Sequence, residues 1–248
     1  MPNAEDFAAL ARSSPWRFSA LHFRKRDRHG DVEAWLERPG RLRVAGPDGR
    51  ETIETGVPYA TSVMTVSVPE SYSDGPTVPV ETVEMVERLP ADVVPERRAD
   101  GLVARRPEDP FILWDDPMYG DYAWVAMLDP VELSHHVEIA EVTESDRNGR
   151  RTWWAEVAAA PGYEPRCGCC PLLWSEISEL DEAEIGGPTM RESDPGVVYP
   201  DRYLVGLDHA TGIVVSLQPL GAARRPESER WPNTWFEVEI LDVDQPGG

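Results

Sequence analysis

Apolar and polar residues alternate along several stretches of the chain, with the period of two that is typical of a strand with one buried face. Every second position of 32–36 is aliphatic, and the first and last positions of 42–44 repeat the pattern. Pro39-Gly40 lies between the two stretches and favours a tight turn, because proline fixes φ and glycine tolerates positive φ. The pattern therefore predicts an antiparallel hairpin with one dry face.

The same period recurs on both sides of later turns. Asn148-Gly149 is a strong hairpin signal, and it separates two alternating segments at 137–143 and 151–159. A glycine-containing turn at 208–212 separates a similar pair of segments. Further strands are predicted at 16–26, 51–56, 59–68, 203–207, 213–217 and 236–243.

Two short segments carry helix signals. Phe7, Leu10 and Ala11 lie at helical spacing, which predicts an N-terminal helix within 1–15. The second segment begins at Asp129, which is expected to act as N-cap. Pro130 would take the first helical position, and Glu132 would complete a capping box.

The middle of the chain has a different composition from its ends. Residues 87–109 are charged and rich in proline, so we expect a long flexible loop there. A chain of 248 residues is long enough for one large domain or two small ones. The sequence shows neither a solenoid repeat nor a convincing interior linker, and we predict a single domain over 1–248.

Two hairpins resemble those of the lipoprotein-carrier superfamily, which includes LolA, LolB and the RseB-type sigma-regulator domains. The first hairpin is Trp35-x-x-Arg38-Pro39-Gly40-Arg41-x-Arg43-Val44, and the second is Leu207-Asp208-x-x-Thr211-Gly212-x-Val214. The order of elements is also similar, with an early meander, a middle that contains helices, and a late meander.

The resemblance implies an α+β fold built on a strongly curved antiparallel β-sheet, an unclosed half-barrel with a few helices over its concave face. It also implies an apolar cavity that holds acyl chains or hydrophobic partners. The chain departs from the carriers because it has no apolar run of signal-peptide length near its start and because it contains a cysteine cluster. A cofactor-independent enzyme of indole-pigment biosynthesis shares this fold, so the resemblance also allows a catalytic use.

Net charge indicates which classes of partner the protein does not bind, and cysteine content indicates its cellular compartment. The net charge of −21 and the pI near 4.5 argue against nucleic acid and against an anionic membrane surface. No stretch approaches the ~20 apolar residues of a membrane span. Three cysteines within 167–170 fit a reducing compartment, and we expect a cytoplasmic protein.

Aromatic residues are the main candidates for a ligand site. Aromatic-lined concave sites with few polar groups are the usual small-molecule pockets, although large aromatics also dominate ordinary core packing. Arg41 and Arg43 share one strand face and would either grip an anion or pair with Glu33 and Glu37 across the hairpin. The aromatic candidates are Trp114, Tyr119, Tyr122, Trp124, Trp153 and Trp154.

Acidic and imidazole groups are weaker catalytic candidates. Asp115, Asp116 and Asp121 lie among these aromatics, where they would act as a general acid or as turn caps. His135 and His136 would offer one base or metal ligand at most, because neighbours on a helix point about 100° apart. The sequence contains no Gly-rich phosphate loop, nucleophile elbow or paired-histidine zinc motif.

The sharpest local motif is Cys167-Gly168-Cys169-Cys170. Zinc prefers four tetrahedral ligands, so three cysteines would need a distant histidine as the fourth. Redox chemistry of neighbouring thiols and plain burial in a tight turn are the alternatives. Candidate fourth ligands are His22, His135, His136 and His209.

These observations favour a non-catalytic function. The leading prediction is a protein that binds a hydrophobic small molecule, a lipid-like ligand or a protein segment in the concave face of the sheet. The first alternative is a cofactor-independent enzyme acting on an aromatic or hydrophobic small molecule. The second is a regulatory protein–protein interaction module. We expect no organic cofactor, and zinc only if the cysteines bind it.

Overall fold

The structure is a computed structural model that describes residues 1–56, 62–63, 84–85, 87–168, 170–183, 189–221, 223 and 235–244. The helices within these residues are α1 (Ala4–Ser13), α2 (Ala123–Leu128), α3 (Glu176–Ala183) and α4 (Met190–Ser193), with 3-10 helices at Ser14–Trp16, Pro90–Asp92 and Val131–Ser134. The strands are β1 (Ala20–Asp27), β2 (Gly30–Glu37), β3 (Arg41–Ala45), β4 (Glu51–Thr55), β5 (Ser62–Val63), β6 (Glu84–Met85), β7 (Glu96–Arg97), β8 (Val103–Arg105), β9 (Val137–Arg147), β10 (Arg150–Ala159), β11 (Arg202–Asp208), β12 (Val214–Leu220) and β13 (Phe236–Asp244).

Nine of the described strands form one antiparallel sheet in the spatial order β4-β3-β2-β1-β13-β12-β11-β10-β9. The early meander and the late meander join where β1 pairs with β13, with Arg24 opposite Glu239. β4 and β9 are the two edges, so the sheet is not closed. The predicted α+β class, with an unclosed antiparallel sheet and few helices, is confirmed.

The predicted hairpins form at the predicted turns. β2 and β3 meet across Pro39-Gly40, with Leu36 opposite Leu42 and Gly40 at a φ of 104°. β9 and β10 meet across Asn148-Gly149, where both residues have positive φ as a tight hairpin turn requires. β4 covers most of the predicted strand at 51–56.

The first strand begins later than the pattern predicts. It starts at Ala20, because Ser14–Trp16 forms a 3-10 helix with Pro15 at its start, and proline fixes φ near the helical value. The strand predicted at 59–68 lies outside the described residues except for β5.

One face of the sheet, which we call the inner face, packs against the helices. Phe23, Leu42 and Val205 are among its fully buried residues. α1 covers this face and contacts β9, β10 and β11, and its predicted apolar residues are buried. Residues from both meanders belong to one apolar cluster, so the two ends of the chain share a core.

The segment 87–109, predicted as a flexible loop, contains the Pro90–Asp92 helix and the paired strands β7 and β8. Val103 is buried against α1, and its N–H donates to the Ser13 hydroxyl at 2.8 Å. This part of the chain therefore packs onto the N-terminal helix.

The capping box predicted at 129–132 is wrong. Val131–Ser134 forms one 3-10 helix preceded by Pro130, with no side-chain cap. The carboxylates of Asp129 and Glu132 are buried and bind other groups, so they do not serve the turn.

Lys25 on β1 is the only lysine in the chain, and it is buried. Its ammonium group forms an ion pair with Asp27, and it lies 5.1 Å from the ring centroid of Trp124 and 5.5 Å from that of Phe236. A cation over an aromatic face is attracted by the ring quadrupole. The carboxylate and the two rings therefore hold the charge inside the core.

We expect K25M to lower the free energy of unfolding by about 3 kcal/mol, because removing one partner of a buried pair leaves the other charge uncompensated. The double variant K25M/D27N removes both charges and should recover part of that loss. Urea unfolding of the two variants and the wild type checks this. A double variant less stable than K25M would contradict the pairing.

Candidate functional site

Two clefts flank residues 113–116 at the rim of the inner face. The first cleft encloses about 340 Å³ beside the β2–β3 turn, and the second encloses about 500 Å³ beside the end of β4. Both volumes lie within the roughly 300–1,000 Å³ of small-molecule pockets. The residues lining both clefts are Leu113, Trp114, Asp115 and Asp116.

Aromatic rings form the walls of the first cleft. Trp114 meets Trp16 edge to face, with ring centroids 5.5 Å apart. The Trp16 indole N–H donates to the carbonyl oxygen of Pro90 at 2.7 Å, which fixes the opposite wall. Trp114 is half-buried, so part of its ring faces the open space.

An arginine–aspartate pair forms the floor of the first cleft. Arg38 donates to Asp116 through two nitrogens, Nε to Oδ1 at 2.9 Å and Nη2 to Oδ2 at 2.7 Å. Its Nη1 donates to the carbonyl oxygen of Ser14 at 2.8 Å, and its guanidinium lies 3.8 Å from the Phe18 ring centroid. Because both charges are bound within the protein, the floor is rigid and electrically neutral.

Beneath the clefts, the fully buried carboxylate of Asp129 binds two arginines. Arg106 Nη1 donates to Oδ2 at 2.9 Å, and Arg166 binds the same oxygen. The Arg106 guanidinium also lies 4.8 Å from the ring centroid of Trp114. Burial by itself would raise the pKa of Asp129, but the two arginine charges and the hydrogen bond from Arg106 outweigh it, so the pKa lies below its usual value.

Asp115 is the exposed acid between the clefts. It accepts hydrogen bonds from Arg166 and from the hydroxyl of Tyr122, while about half of its side chain remains exposed. Burial, together with the bond to Asp115, raises the pKa of Tyr122 to about 12, so the phenol stays protonated at neutral pH. Asp115 therefore presents carboxylate oxygens that can accept hydrogen bonds from a ligand, whereas the Tyr122 hydroxyl already donates its hydrogen to Asp115.

Glu132 anchors the chain that follows the site. It accepts hydrogen bonds from the Tyr163 hydroxyl at 2.6 Å, the Arg166 N–H at 2.9 Å and the Leu172 N–H at 2.8 Å. Burial raises the pKa of Glu132, and the three donated hydrogen bonds oppose that rise. The carboxylate thus connects residues that are far apart in sequence.

The structure brings two of the predicted aromatics to the clefts, Trp114 and Tyr122. Trp124 is buried in the core, and Tyr119 packs on it with ring centroids 5.3 Å apart. The other two predicted tryptophans lie on opposite faces of β10 and line neither cleft: Trp153 and Trp154.

The predicted arginine pair lies on the outer face of the sheet. Arg41 approaches Glu37 at 3.5 Å, as the hairpin register predicts. Arg43 instead pairs with Glu51 on β4 at 2.8 Å and stacks over Trp35 at 3.6 Å from its ring centroid. Both guanidiniums are therefore bound to carboxylates.

The acidic and histidine candidates divide between the site and the surface. Asp115 and Asp116 belong to the clefts, whereas Asp121 accepts from the Ala123 N–H at 3.1 Å and stabilises the start of α2. His135 is half-buried and His136 is exposed. Burial lowers the pKa of His135.

The structure describes two of the three cysteines predicted to bind a metal, Cys167 and Cys170 but not Cys169. Among the residues described, no group of three or more His, Cys, Asp or Glu side chains is arranged to hold a metal ion. Cys169 lies outside the described residues, so the cysteine cluster stays a prediction.

The site residues that the sequence did not reveal are Arg106, Asp129, Glu132 and Arg166. Local pattern assigned both acids to a helix cap, which Asp-Pro-x-Glu spacing favours. The two arginines lie in segments with no regular periodicity. Only the folded chain brings these charges together.

Comparison with known proteins adds no assignment. No protein-family model matches this chain, and no curated protein matches it either. The resemblance to lipoprotein carriers therefore remains a prediction from two hairpins. In the part of the chain that is described, no helix is long and apolar enough to cross a membrane.

We expect D129N to lower the free energy of unfolding by about 3 kcal/mol at neutral pH, because it leaves two buried arginines without their carboxylate. The pKa of Asp129 lies below its unfolded value, so its stabilisation is complete at neutral pH and is lost as pH falls through the folded-state pKa. The difference between wild type and D129N should therefore be constant near neutral pH and shrink only below about pH 5, as the pH approaches and passes the unfolded-state pKa of about 3.9.

Urea unfolding at several pH values measures this difference. D48N is the matched control, since Asp48 is an exposed turn residue and should show little change at any pH. A D129N loss that grows on acidification would contradict the assignment.

Proposed function

We propose that the protein binds an uncharged hydrophobic small molecule in the first cleft, against the face of Trp114. The observation that carries this proposal is the partial exposure of an indole whose neighbours hold it in place. Trp16 fixes one edge, and Arg106 lies against the ring at 4.8 Å. An apolar surface kept open in this way is typical of a ligand-binding site.

The lining supports an apolar occupant. The aromatic and aliphatic residues that line the first cleft surround one buried ion pair, Arg38–Asp116, whose two charges cancel each other. Arg97 and Asp115 add one charge of each sign at the margin. At the floor, Arg38 and Asp116 already pair with each other, whereas an apolar ligand would gain by burying its surface against the aromatic lining.

The position of the cleft refines the predicted binding mode. The described inner face is filled by its own side chains, including Phe23, Leu42 and Val205. Open space lies instead at the rim, where the β2–β3 turn meets 113–116. The proposed ligand is therefore held at the mouth of the curved sheet.

The enzyme alternative has less support from this geometry. Asp115 accepts a hydrogen bond from Arg166 and Asp116 accepts one from Arg38, so both carboxylates are already engaged within the protein. Binding without chemistry is therefore the function that we propose. We also propose a cytoplasmic location, which the clustered cysteines support because a reducing compartment maintains thiols.

Nile red, a neutral hydrophobic dye, provides the probe for this site. We expect W114A to weaken its binding about tenfold, which corresponds to about 1.4 kcal/mol and to the loss of an aromatic contact. Dye fluorescence titrated against protein concentration gives the dissociation constant for each variant.

The matched control is W35A, which removes another half-buried tryptophan from the outer face of the sheet. Its affinity for Nile red should equal that of the wild type. Equal losses in W114A and W35A, or no loss in W114A, would overturn the proposed site.

A further inference from the structure

Cys167 and Cys170 lie between two backbone N–H groups that donate to one buried carboxylate. Glu132 Oε2 accepts from the N–H of Arg166, immediately before the motif, at 2.9 Å. Glu132 Oε1 accepts from the N–H of Leu172, shortly after it, at 2.8 Å. Glu132 is 1% exposed, so this clamp is shielded from water. Glu132 therefore holds the backbone on both sides of Cys167 and Cys170.

Within the loop, the backbone forms a tight turn between the first and last cysteines. The N–H of Cys170 donates to the carbonyl oxygen of Cys167 at 3.2 Å, three residues earlier. A turn closed in this way holds its first and fourth Cα atoms within about 7 Å. A disulfide needs a Cα separation of about 4.4–6.8 Å. The turn thus supplies the spacing that a disulfide requires.

The two thiols differ in their access to solvent. Cys167 is partly exposed, whereas Cys170 is 6% exposed. Cys167 is therefore placed to meet an oxidant first, and Cys170 is placed to attack second.

We propose that Cys167 and Cys170 form a reversible intramolecular disulfide by exchange with a small-molecule disulfide such as oxidised glutathione. The Cys167 thiolate attacks one glutathione sulfur, the glutathione S–S bond breaks, and one glutathione thiolate leaves. The Cys170 thiolate then attacks the Cys167 sulfur and releases the second glutathione. The two cysteine protons end on the two glutathione thiolates, so the protein is oxidised by two electrons and one glutathione disulfide becomes two thiols.

This inference does not rest on the proposed ligand. The loop adjoins the site, since Arg166 also binds Asp115 and Asp129. Transient disulfides that sense redox state are the form that such bonds take in a reducing compartment. The clamp at Glu132 would keep the loop in place in both redox states.

The experiment exposes the full chain to oxidised glutathione, blocks the remaining thiols with iodoacetamide, and maps the tryptic peptide that begins at Cys167 by mass spectrometry. C169S should form the disulfide as the wild type does. C170S should stop at a mixed disulfide with glutathione on Cys167, and C167S should form no bond within the turn. Excess reduced glutathione should return the wild type to the dithiol.

Near-UV circular dichroism shows that each serine variant keeps the native fold before it is oxidised. Loss of the disulfide in folded C169S would assign the bond to Cys169 and overturn the proposal. So would a wild type that forms no disulfide, a bond within the turn of C170S, or a disulfide that reduced glutathione does not open.

Discussion

The buried carboxylate of Asp129 is the contact on which the rim of this protein depends. It binds Arg106, from the segment that follows β8, and Arg166, from the loop that follows β10. Those two segments have no regular secondary structure at these positions, so backbone ladders do not hold them. Two charge-assisted hydrogen-bond sets replace the ladders and fix both segments to the start of the Val131–Ser134 helix.

This network of buried ion pairs holds in place the residues that separate the two clefts. Arg106 lies against Trp114, and Arg166 binds Asp115, so both residues between the clefts are held from beneath. A second buried carboxylate, Glu132, accepts hydrogen bonds from the backbone N–H groups of Arg166 and Leu172 and so holds this stretch of chain. The aromatic wall, the acid at the rim and the cysteine turn are thus parts of one connected polar frame.

The sequence predicted the sheet well because its signals are local. Alternation and the Pro39-Gly40 and Asn148-Gly149 turns each specify a hairpin within about ten residues, and register follows from the turn. The pairing of β1 with β13 was not predicted, since no local pattern selects a partner more than two hundred residues away. Of the six aromatics predicted to line a ligand site, Trp114 and Tyr122 line the clefts and the other four lie outside them.

These buried polar contacts were not predictable from the sequence, because the local pattern around the two acids predicts a helix start instead. Asp129, Pro130 and Glu132 have the spacing of a helix start, and nothing within ten residues shows that distant arginines compete for those carboxylates. In the folded chain, burial removes water as an alternative partner, so an arginine at hydrogen-bond distance outweighs a cap worth about 1 kcal/mol. Tertiary contact therefore overrides the local rule at the residues that shape the site.

Three buried cations of this chain are stabilised in the same way, by an aspartate and an aromatic ring. Lys25, Arg38 and Arg106 each bind an aspartate on one side and face an aromatic ring on another. A buried ion pair contributes little net stability, because desolvation offsets much of the attraction. Its geometry is nevertheless specific, since misplacing either partner leaves an uncompensated charge. At Arg38 and Arg106, that specificity fixes the floor and one wall of the first cleft before any ligand binds, so binding there would order few side chains and lose little entropy.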